Sequence, residues 1–213
     1  TKKFLKIINK EKLLSKLKQN LFTGDKSKNK NILLSGEQIL DYYTNVNLQG
    51  KSQKSSVVSA VKLKTFKFGG GTILIANFLS EFMDKLNYFV HGNQKTKKYL
   101  SNYIKNKNKN KNKIKLLLSG DKFDNFLIKE RFIENYSKAR LFQLNQNQKF
   151  FNLNRKNENY QKTFLQMIKK FENILIFDFG YGYIDENFSK KLNNKKNKFF
   201  INCQTNSSNY GYN

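Results

Sequence analysis

Residues 69–90 read GGGTILIANFLSEFMDKLNYFV. Three glycines indicate a turn, and the apolar side chains from Ile73 to Phe82 then recur at the spacing of a helix. The apolar run Leu86–Val90 has the length of a buried strand. A turn, a helix and a buried strand in this order are typical of the crossover between two parallel strands. The stretch therefore predicts an α/β protein with a layered sheet.

The same alternation continues on both sides of this stretch. Upstream, Ile32-Leu33-Leu34 precedes Gly36 and indicates a buried first strand. Downstream, the predicted elements are a helix at Tyr99–Ile104, a strand at Ile114–Leu118, a helix at 158–171, a strand at Ile174–Phe177, a helix at Ile184–Leu192 and a strand at Phe199–Ile201. The runs Phe126–Glu134 and Arg140–Leu144 have no helix between them, which predicts a hairpin apart from the main sheet.

Two lysine-rich segments fall outside this alternation. Residues 1–31 combine a helical apolar stripe with a polar break, which predicts a helix and linker ahead of a domain at 32–213. This helix is either an ordinary terminal helix that packs on the domain or the tail of a preceding domain. The tract Lys105–Lys113 has low complexity and indicates a solvated loop, with a polybasic anchor as the alternative.

The composition limits the classes of function. The chain has 213 residues, which suits one domain, and its 41 Lys and Arg against 15 Asp and Glu give a formal net charge of +26. Lysine supplies almost all of this charge, and we attribute its excess to AT-rich codons. A basic nucleic-acid-binding protein remains a rival interpretation. Specific recognition of nucleic acid is disfavoured because arginine, the preferred bidentate reader of bases, is scarce.

Cysteine content and hydropathy bear on the compartment. Cys203 is the single cysteine, so one chain can build neither a disulfide framework nor a clustered thiolate metal site. The sequence has no run of about 18 apolar residues, and its lysine-rich start lacks the apolar core of a signal peptide. We therefore expect a cytoplasmic protein without a membrane partner.

Three polar stretches stand at the predicted carboxyl ends of strands, where open α/β sheets bind their ligands. They are Gly36–Tyr43, Gly69–Asn77 and Phe177–Gly182. Glycines in such turns let the backbone approach a ligand, and aspartates can accept hydrogen bonds from hydroxyl groups. Each stretch alone is a weak signal, because most glycine runs are plain turns. Their order and spacing carry the inference.

Together the stretches resemble the ribokinase-like (PfkB-type) carbohydrate kinases, and more narrowly the branch near the D-glycero-D-manno-heptose-phosphate kinases, which is often fused to a nucleotidyltransferase. The resemblance covers residues 32–213. It rests on GEQILDYY (36–43), LQGKS (48–52), GGTILIAN (70–77), KERFI (129–133), DFGYG (178–182), and NCQTN (202–206) with NYGYN (209–213). It implies a ribokinase-like three-layer α/β/α sandwich with a small β lid at 42–67 and 126–144. The resemblance also implies that the C-terminal part of this sandwich is absent.

The resemblance also implies roles for individual residues. Contacts to the sugar acceptor would come from Asp41, Gly70, Gly71, Asn77 and Asp178, and Asn202 would lie near the path of the phosphate. For Asp41 the alternative is a solvent-facing cap, and for Asn77 it is a polar residue satisfied within its helix.

Other residues have two interpretations. Lys129 and Arg131 are two apart, so they share one face of a strand and could hold a phosphate already present on the sugar. Solvated charges on an edge strand are the alternative. We interpret His91 as a polar residue at a strand end, and Cys203 as a buried strand neighbour rather than a nucleophile.

The catalytic base of the resembled family lies in a Gly-Ala-Gly-Asp-like turn, and neither this turn nor a Walker motif occurs in the sequence. We therefore expect the acceptor-binding portion of an ATP-dependent kinase for a heptose or sugar-phosphate, inactive by itself. ATP and Mg²⁺ are implied cofactors, with a nucleotide site mostly outside this chain. A homodimer through the β lid is an assembly that the resemblance allows. The alternatives are a degenerate sugar-binding or scaffold module and the nucleic-acid-binding protein.

Overall fold

A computed structural model describes residues 32–51, 56–107, 113–121, 126–146, 159–192 and 196–204. The helix and linker predicted for residues 1–31 lie outside the described residues, as do positions 108–112 of the Lys-Asn tract. In chain order the elements are β1 (Ile32–Gly36), β2 (Gln38–Lys51), β3 (Val58–Gly71), α1 (Thr72–Leu79), β4 (Leu86–Val90), α2 (Gln94–Lys107), β5 (Ile114–Leu118), β6 (Leu127–Glu134), β7 (Arg140–Gln146), α3 (Asn159–Ile168), β8 (Asn173–Asp178), α4 (Glu186–Lys191) and β9 (Lys198–Cys203).

The main sheet is parallel, and its strands stand in the order β5-β4-β1-β8-β9. The first strand of the described chain therefore lies at the centre of this sheet. Because all five strands run the same way, their carboxyl ends meet at one edge, called the carboxyl edge below. The predicted strands at these positions are confirmed, with bounds that differ by at most two residues.

Helices cover both faces of the main sheet because alternate residues of its strands point to opposite sides. Leu33 clusters with Phe164 of α3, whereas Leu34 clusters with Ile73 of α1 and Leu100 of α2. All five side chains are fully buried, and each such burial stabilises the fold by roughly 1.5–3 kcal/mol. The predicted three-layer α/β/α arrangement is confirmed.

Four strands form a second sheet, called the lid sheet below, in the order β3-β2-β6-β7. The β2–β3 and β6–β7 pairs are antiparallel hairpins, and β2 runs parallel to β6 between them. The first hairpin is inserted between β1 and α1, and the second between β5 and α3. The predicted hairpin apart from the main sheet is confirmed, and it pairs with the other inserted hairpin.

The helix after the glycine turn begins where it was predicted but ends earlier. Its last residue is Leu79 rather than Phe82. The amides of Glu81 and Phe82 donate to the carbonyls of Phe78 and Leu79, three residues back, so the chain closes in a tighter turn. Within the described ranges, none of the helices is long and apolar enough to cross a membrane.

Candidate functional site

Asp41 and Gly70 meet on one face of the lid sheet. Asp41 on β2 stands opposite Phe68 on β3, and Gly70 follows Phe68 by two residues, so it faces the same side. A Cβ added to Gly70 would lie 2.1 Å from Oδ2 of Asp41. Any larger residue at position 70 would therefore displace the carboxylate. Two of the predicted acceptor contacts are thus neighbours in the structure.

Gly71 makes the turn from the lid sheet into α1. Its φ of +52° is in the left-handed region, and an added Cβ would lie 2.5 Å from the carbonyl oxygen of Glu37. This close approach lets the amide of Thr72 donate to the same carbonyl over 3.0 Å. The third glycine of the run thus brings the start of α1 against the link between β1 and β2.

Arg131 reaches Asp41 from the neighbouring strand of the lid sheet. Its Nη1 donates to Oδ1 of Asp41 over 2.5 Å, and its guanidinium carbon lies 5.2 Å from the centre of the Tyr43 ring. The strand β6 lies between β2 and β7, and the Arg131 side chain is 17% exposed. The alternative of a solvated charge on an edge strand is therefore wrong for Arg131.

Lys129 connects the lid sheet to the carboxyl edge of the main sheet. It is in register with Asp41, and its side chain is half-buried. Its Nζ lies 4.8 Å from the centre of the Tyr181 ring, in the loop that follows β8. This distance is in the range of a cation–π interaction. Lys129 and Arg131 thus share one face of β6, as predicted from their spacing, and this face is the one that carries Asp41.

Aromatic side chains on the same face were missed by the sequence analysis. Tyr43 lies 5.7 Å from Phe68, measured between ring centres, and Phe66 is the register partner of Tyr43. Phe66 and Phe68 are 40% and 47% exposed. The alternation of Phe66 and Phe68 in the sequence could have indicated them. They add an apolar surface beside the carboxylate and the two cations.

Asp178 is turned into its own loop. It ends β8 and is 1% exposed. Its Oδ1 accepts the amide of Gly180 over 2.7 Å, and its Oδ2 accepts the amide of Ile184 over 3.1 Å. The sequence predicted a direct contact to the acceptor, whereas the structure places the carboxylate as the organiser of the loop after β8. The cause is burial, since a buried carboxylate needs hydrogen-bond donors and the backbone provides them.

The two predicted asparagines lie farther out. Asn77 is half-buried, about 9 Å along the α1 axis from Gly71 at 1.5 Å per residue. Asn202 is exposed on β9, in register with Phe177, and β9 lies two strands from β1, which is about 10 Å at the usual strand spacing. Asn77 thus lies beyond the first turn of α1, and Asn202 lies on the edge strand of the described main sheet.

Glu37 is a further residue of this region to which the sequence assigned no role. It is fully buried between β1 and β2. Its Oε2 accepts the amide of Phe179 over 2.6 Å, and its Oε1 accepts those of Tyr181 and Tyr183 over 2.7 and 3.2 Å. Burial, followed by the charge of Asp178, raises the pKa of Glu37 from 4.5 to about 8, although the three amides lower it. An acidic residue directly after a buried strand was the available signal.

His91 and Cys203 have separate surroundings. His91 is buried, and its Nε2 lies 2.9 Å from Oδ2 of Asp121, while the Gln38 side chain binds both its amide and its carbonyl. These contacts agree with a polar residue at a strand end. Cys203 is exposed, so its predicted burial is wrong, because β9 is the edge strand of the described sheet. Desolvation and the charge of Asp178 raise the pKa of its thiol, which disfavours a thiolate nucleophile.

A metal ion in the described part of the chain would need side chains that could together bind it. No group of three or more His, Cys, Asp or Glu side chains is arranged to hold one among these residues. The carboxylates of Glu37 and Asp178 are occupied by backbone amides. The described residues thus do not fit a protein-held Mg²⁺, and none of them is assigned to MgATP.

The arrangement can bind a polyol that carries an anionic group. A carboxylate has about four acceptor positions, so Oδ2 of Asp41 can accept hydroxyl groups while Oδ1 binds Arg131. Arg131 retains further N–H donors, and Lys129 supplies a second positive charge on the same face.

No protein-family model matches the chain, and no curated protein matches it. Its structure is similar to a provisionally assigned phosphofructokinase from Staphylococcus aureus, with a TM-score of 0.51 at 12% identity over 80% of this chain and 52% of that chain. It is also similar to Arabidopsis thaliana ribokinase complexed with ribose and ATP, with a TM-score of 0.50 at 6% identity over 81% of this chain and 53% of that chain. The chain has a ribokinase-like fold. It spans about half the length of these two proteins.

Proposed function

We propose that the chain forms the acceptor side of an ATP-dependent carbohydrate kinase, which transfers a phosphoryl group from MgATP to a sugar hydroxyl. The observation that carries the proposal is the Asp41 carboxylate, fixed against Gly70 and Arg131 where the lid sheet joins the main sheet. Asp41 accepts hydroxyl hydrogen bonds, and the backbone of Gly70 and Gly71 lets the sugar approach closely. Closure of the lid sheet over the sugar would exclude water, which competes as phosphoryl acceptor.

The acceptor that we propose is a sugar-phosphate, with a heptose-phosphate as the first candidate. Arg131 and Lys129 lie on the face of Asp41, so a phosphate on the sugar can pair with them while the hydroxyls meet the carboxylate. The half-exposed rings of Phe66 and Phe68 suit the apolar face of a sugar ring. The heptose assignment, a role in lipopolysaccharide biosynthesis and a cytoplasmic location rest on the resemblance of the sequence motifs.

We assign Asn77 and Asn202 to contacts with more distant parts of the bound ligands. We propose that Asp178 acts through its loop. We further propose that the 213 residues bind the acceptor without turnover, because they contain no Gly-Ala-Gly-Asp-like turn. The second candidate function is a sugar-binding module without catalysis, which would use the same face of Asp41 and Arg131.

Calorimetric titration with a heptose, ribose and their phosphates tests the acceptor assignment. We expect saturable binding that favours the phosphates, and no ADP release with MgATP in a coupled assay. If none of these sugars binds, the chain does not contain the acceptor site. ADP release would show that the chain is catalytic by itself. Binding of oligonucleotides with a steep salt dependence, without sugar binding, would support the nucleic-acid alternative instead.

A further inference from the structure

Glu37 is the single residue between β1 of the main sheet and β2 of the lid sheet. Its amide donates to the carbonyl of Phe177 on β8 over 3.2 Å. Its carbonyl accepts both the amide of Thr72, over 3.0 Å, and the Thr72 hydroxyl, over 2.9 Å. Thr72 begins α1 directly after β3, so it stands at the second crossing between the two sheets. The backbone of Glu37 therefore joins both crossings of the first hairpin to the centre of the main sheet.

The side chain of Glu37 extends this junction to the loop after β8. Its two carboxylate oxygens accept the amides of Phe179, Tyr181 and Tyr183, which gather alternate residues of the loop around one buried group. The Tyr181 ring in turn lies against Lys129 of the lid sheet. A movement of the lid sheet about its crossings would thus displace the carboxylate that holds the loop.

Comparison with Glu134 distinguishes the contacts of Glu37 from those of a turn cap. Glu134 accepts the amides of Tyr136 and Ser137, which belong to the turn that follows its own strand. Glu37 instead binds amides more than 140 residues away in sequence, in another part of the fold. Glu134 orders one turn, whereas Glu37 joins the crossings of the first hairpin to the loop after β8.

We propose that Glu37 is a hinge residue that couples the orientation of the lid sheet to the conformation of the 179–184 loop. The proposal goes beyond the kinase assignment and holds for any ligand that enters between the two sheets. Such a coupling is reciprocal, so loosening the loop must free the lid sheet, and loosening the crossing must free the loop.

The test measures both segments in the full chain. Exchange of the Phe179, Tyr181 and Tyr183 amides reports on the loop. Spin labels on native Cys203 and on Ala60→Cys in β3, both exposed, report on the lid sheet. The labelled chain is mixed with excess unlabelled chain, so that distances within one molecule are measured. In Glu37→Gln we expect exchange at the three amides to rise by about tenfold or more, and the distance distribution to broaden.

Glu134→Gln is the matched control, because it makes the same substitution at another buried glutamate that accepts backbone amides. We expect faster exchange at Tyr136 and Ser137 only, with an unchanged distance distribution. A loop that exchanges faster in Glu37→Gln while the distance distribution keeps its parent width would overturn the proposal, since Glu37 would then only order the loop.

Thr72→Val tests the coupling from the other side and keeps it testable if Glu37→Gln does not fold. It removes the hydroxyl bond at the second crossing and leaves the Glu37 carboxylate intact. We expect the distance distribution to broaden and the three loop amides to exchange faster together. Tyr88→Phe is its control, because Tyr88 is the other partner of that hydroxyl. A broadened distribution with loop exchange at the parent rate contradicts the coupling.

Discussion

Asp41 holds Arg131 with one oxygen and presents the other beside Gly70. Asp41→Asn keeps the shape of the side chain but replaces one acceptor oxygen by an amide donor. Hydrogen bonds to a charged group contribute roughly 1.5–3 kcal/mol each, so we expect sugar affinity to fall by at least about tenfold. Calorimetry measures this fall, with the exposed Asp84→Asn as the control for the change in charge. Unchanged affinity in a folded Asp41→Asn chain removes Asp41 from the site.

The close approach of Gly70 to Asp41 predicts that a larger residue at position 70 lowers the free energy of unfolding. Gly70→Ala places a methyl group 2.1 Å from Oδ2 of Asp41, so the carboxylate must move. We expect the free energy of unfolding to fall by about 1–3 kcal/mol, the usual cost of overpacking. Urea unfolding of Gly70→Ala in an Asp41→Ala background isolates the cause, because the carboxylate is then absent. An equal loss in both backgrounds would show that the backbone of Gly70, and not Asp41, requires glycine.

Glu37 makes the stability of the fold depend on pH. Its pKa is raised from 4.5 to about 8 by burial and by Asp178, so between these values the folded chain holds a proton that the unfolded chain releases. The free energy of unfolding should therefore be greatest below about pH 4.5 as far as this group is concerned. It should fall as pH rises to about 8, with a slope of up to about 1.4 kcal/mol per pH unit.

Urea unfolding across this pH range measures the slope in the parent chain and in Glu37→Gln. The substitution should remove most of the dependence, because glutamine does not titrate. An equally steep fall in Glu37→Gln would show that Glu37 is not the source of the dependence.

At the scale of elements, β6 supplies both cations of the candidate site. Arg131→Gln leaves Lys129 in place but removes the partner of Asp41. We expect the ratio of affinities for a sugar-phosphate and its parent sugar to fall by about tenfold, the effect of one charge-assisted bond. Parallel titrations measure the ratio. Arg140→Gln on the neighbouring strand is exposed and serves as the control, and an equal effect there would indicate a general loss of positive charge.

Most elements were predictable from the sequence because their signals are local. Leu86–Val90 and Ile114–Leu118 are each apolar at four of their five positions, and strands at those residues are confirmed. The partners of the carboxylates were not predictable in the same way. Asp41 meets Arg131 only through the parallel register of β2 and β6, which joins residues about 90 positions apart.

The burial of Asp178 and Glu37 has the same origin. Both carboxylates are satisfied by backbone amides, which every residue has, so no side-chain pattern marks their partners. The exposure of Cys203 follows from the position of β9 at the edge of the sheet. Strand order is a property of the assembled sheet, and the alternation of apolar residues does not specify it.

At the scale of the whole molecule, the lid sheet leaves apolar side chains on the surface. Val57, Val58, Val61 and Leu63 are between 44% and 65% exposed near the end of the first hairpin. We propose that they form the contact of a homodimer. Sedimentation should show association of the parent chain that weakens in Val61→Lys, since a desolvated lysine opposes contact. Leu74→Lys on α1 is exposed and is the control. A monomeric parent, or an equal effect of Leu74→Lys, contradicts dimerisation through the lid sheet.

The central position of β1 also bears on how the chain reaches its native state. Ile32 is in register with Asn173, so the middle of the main sheet joins segments that are 141 positions apart. Contacts of such long range cost chain entropy before they contribute stability, and proteins rich in them fold slowly. During synthesis β1 can pair with β4, but its other edge stays open until residues 173–178 have been made. For most of that time the chain has an uncovered parallel strand edge, which is a place where a second nascent chain can pair.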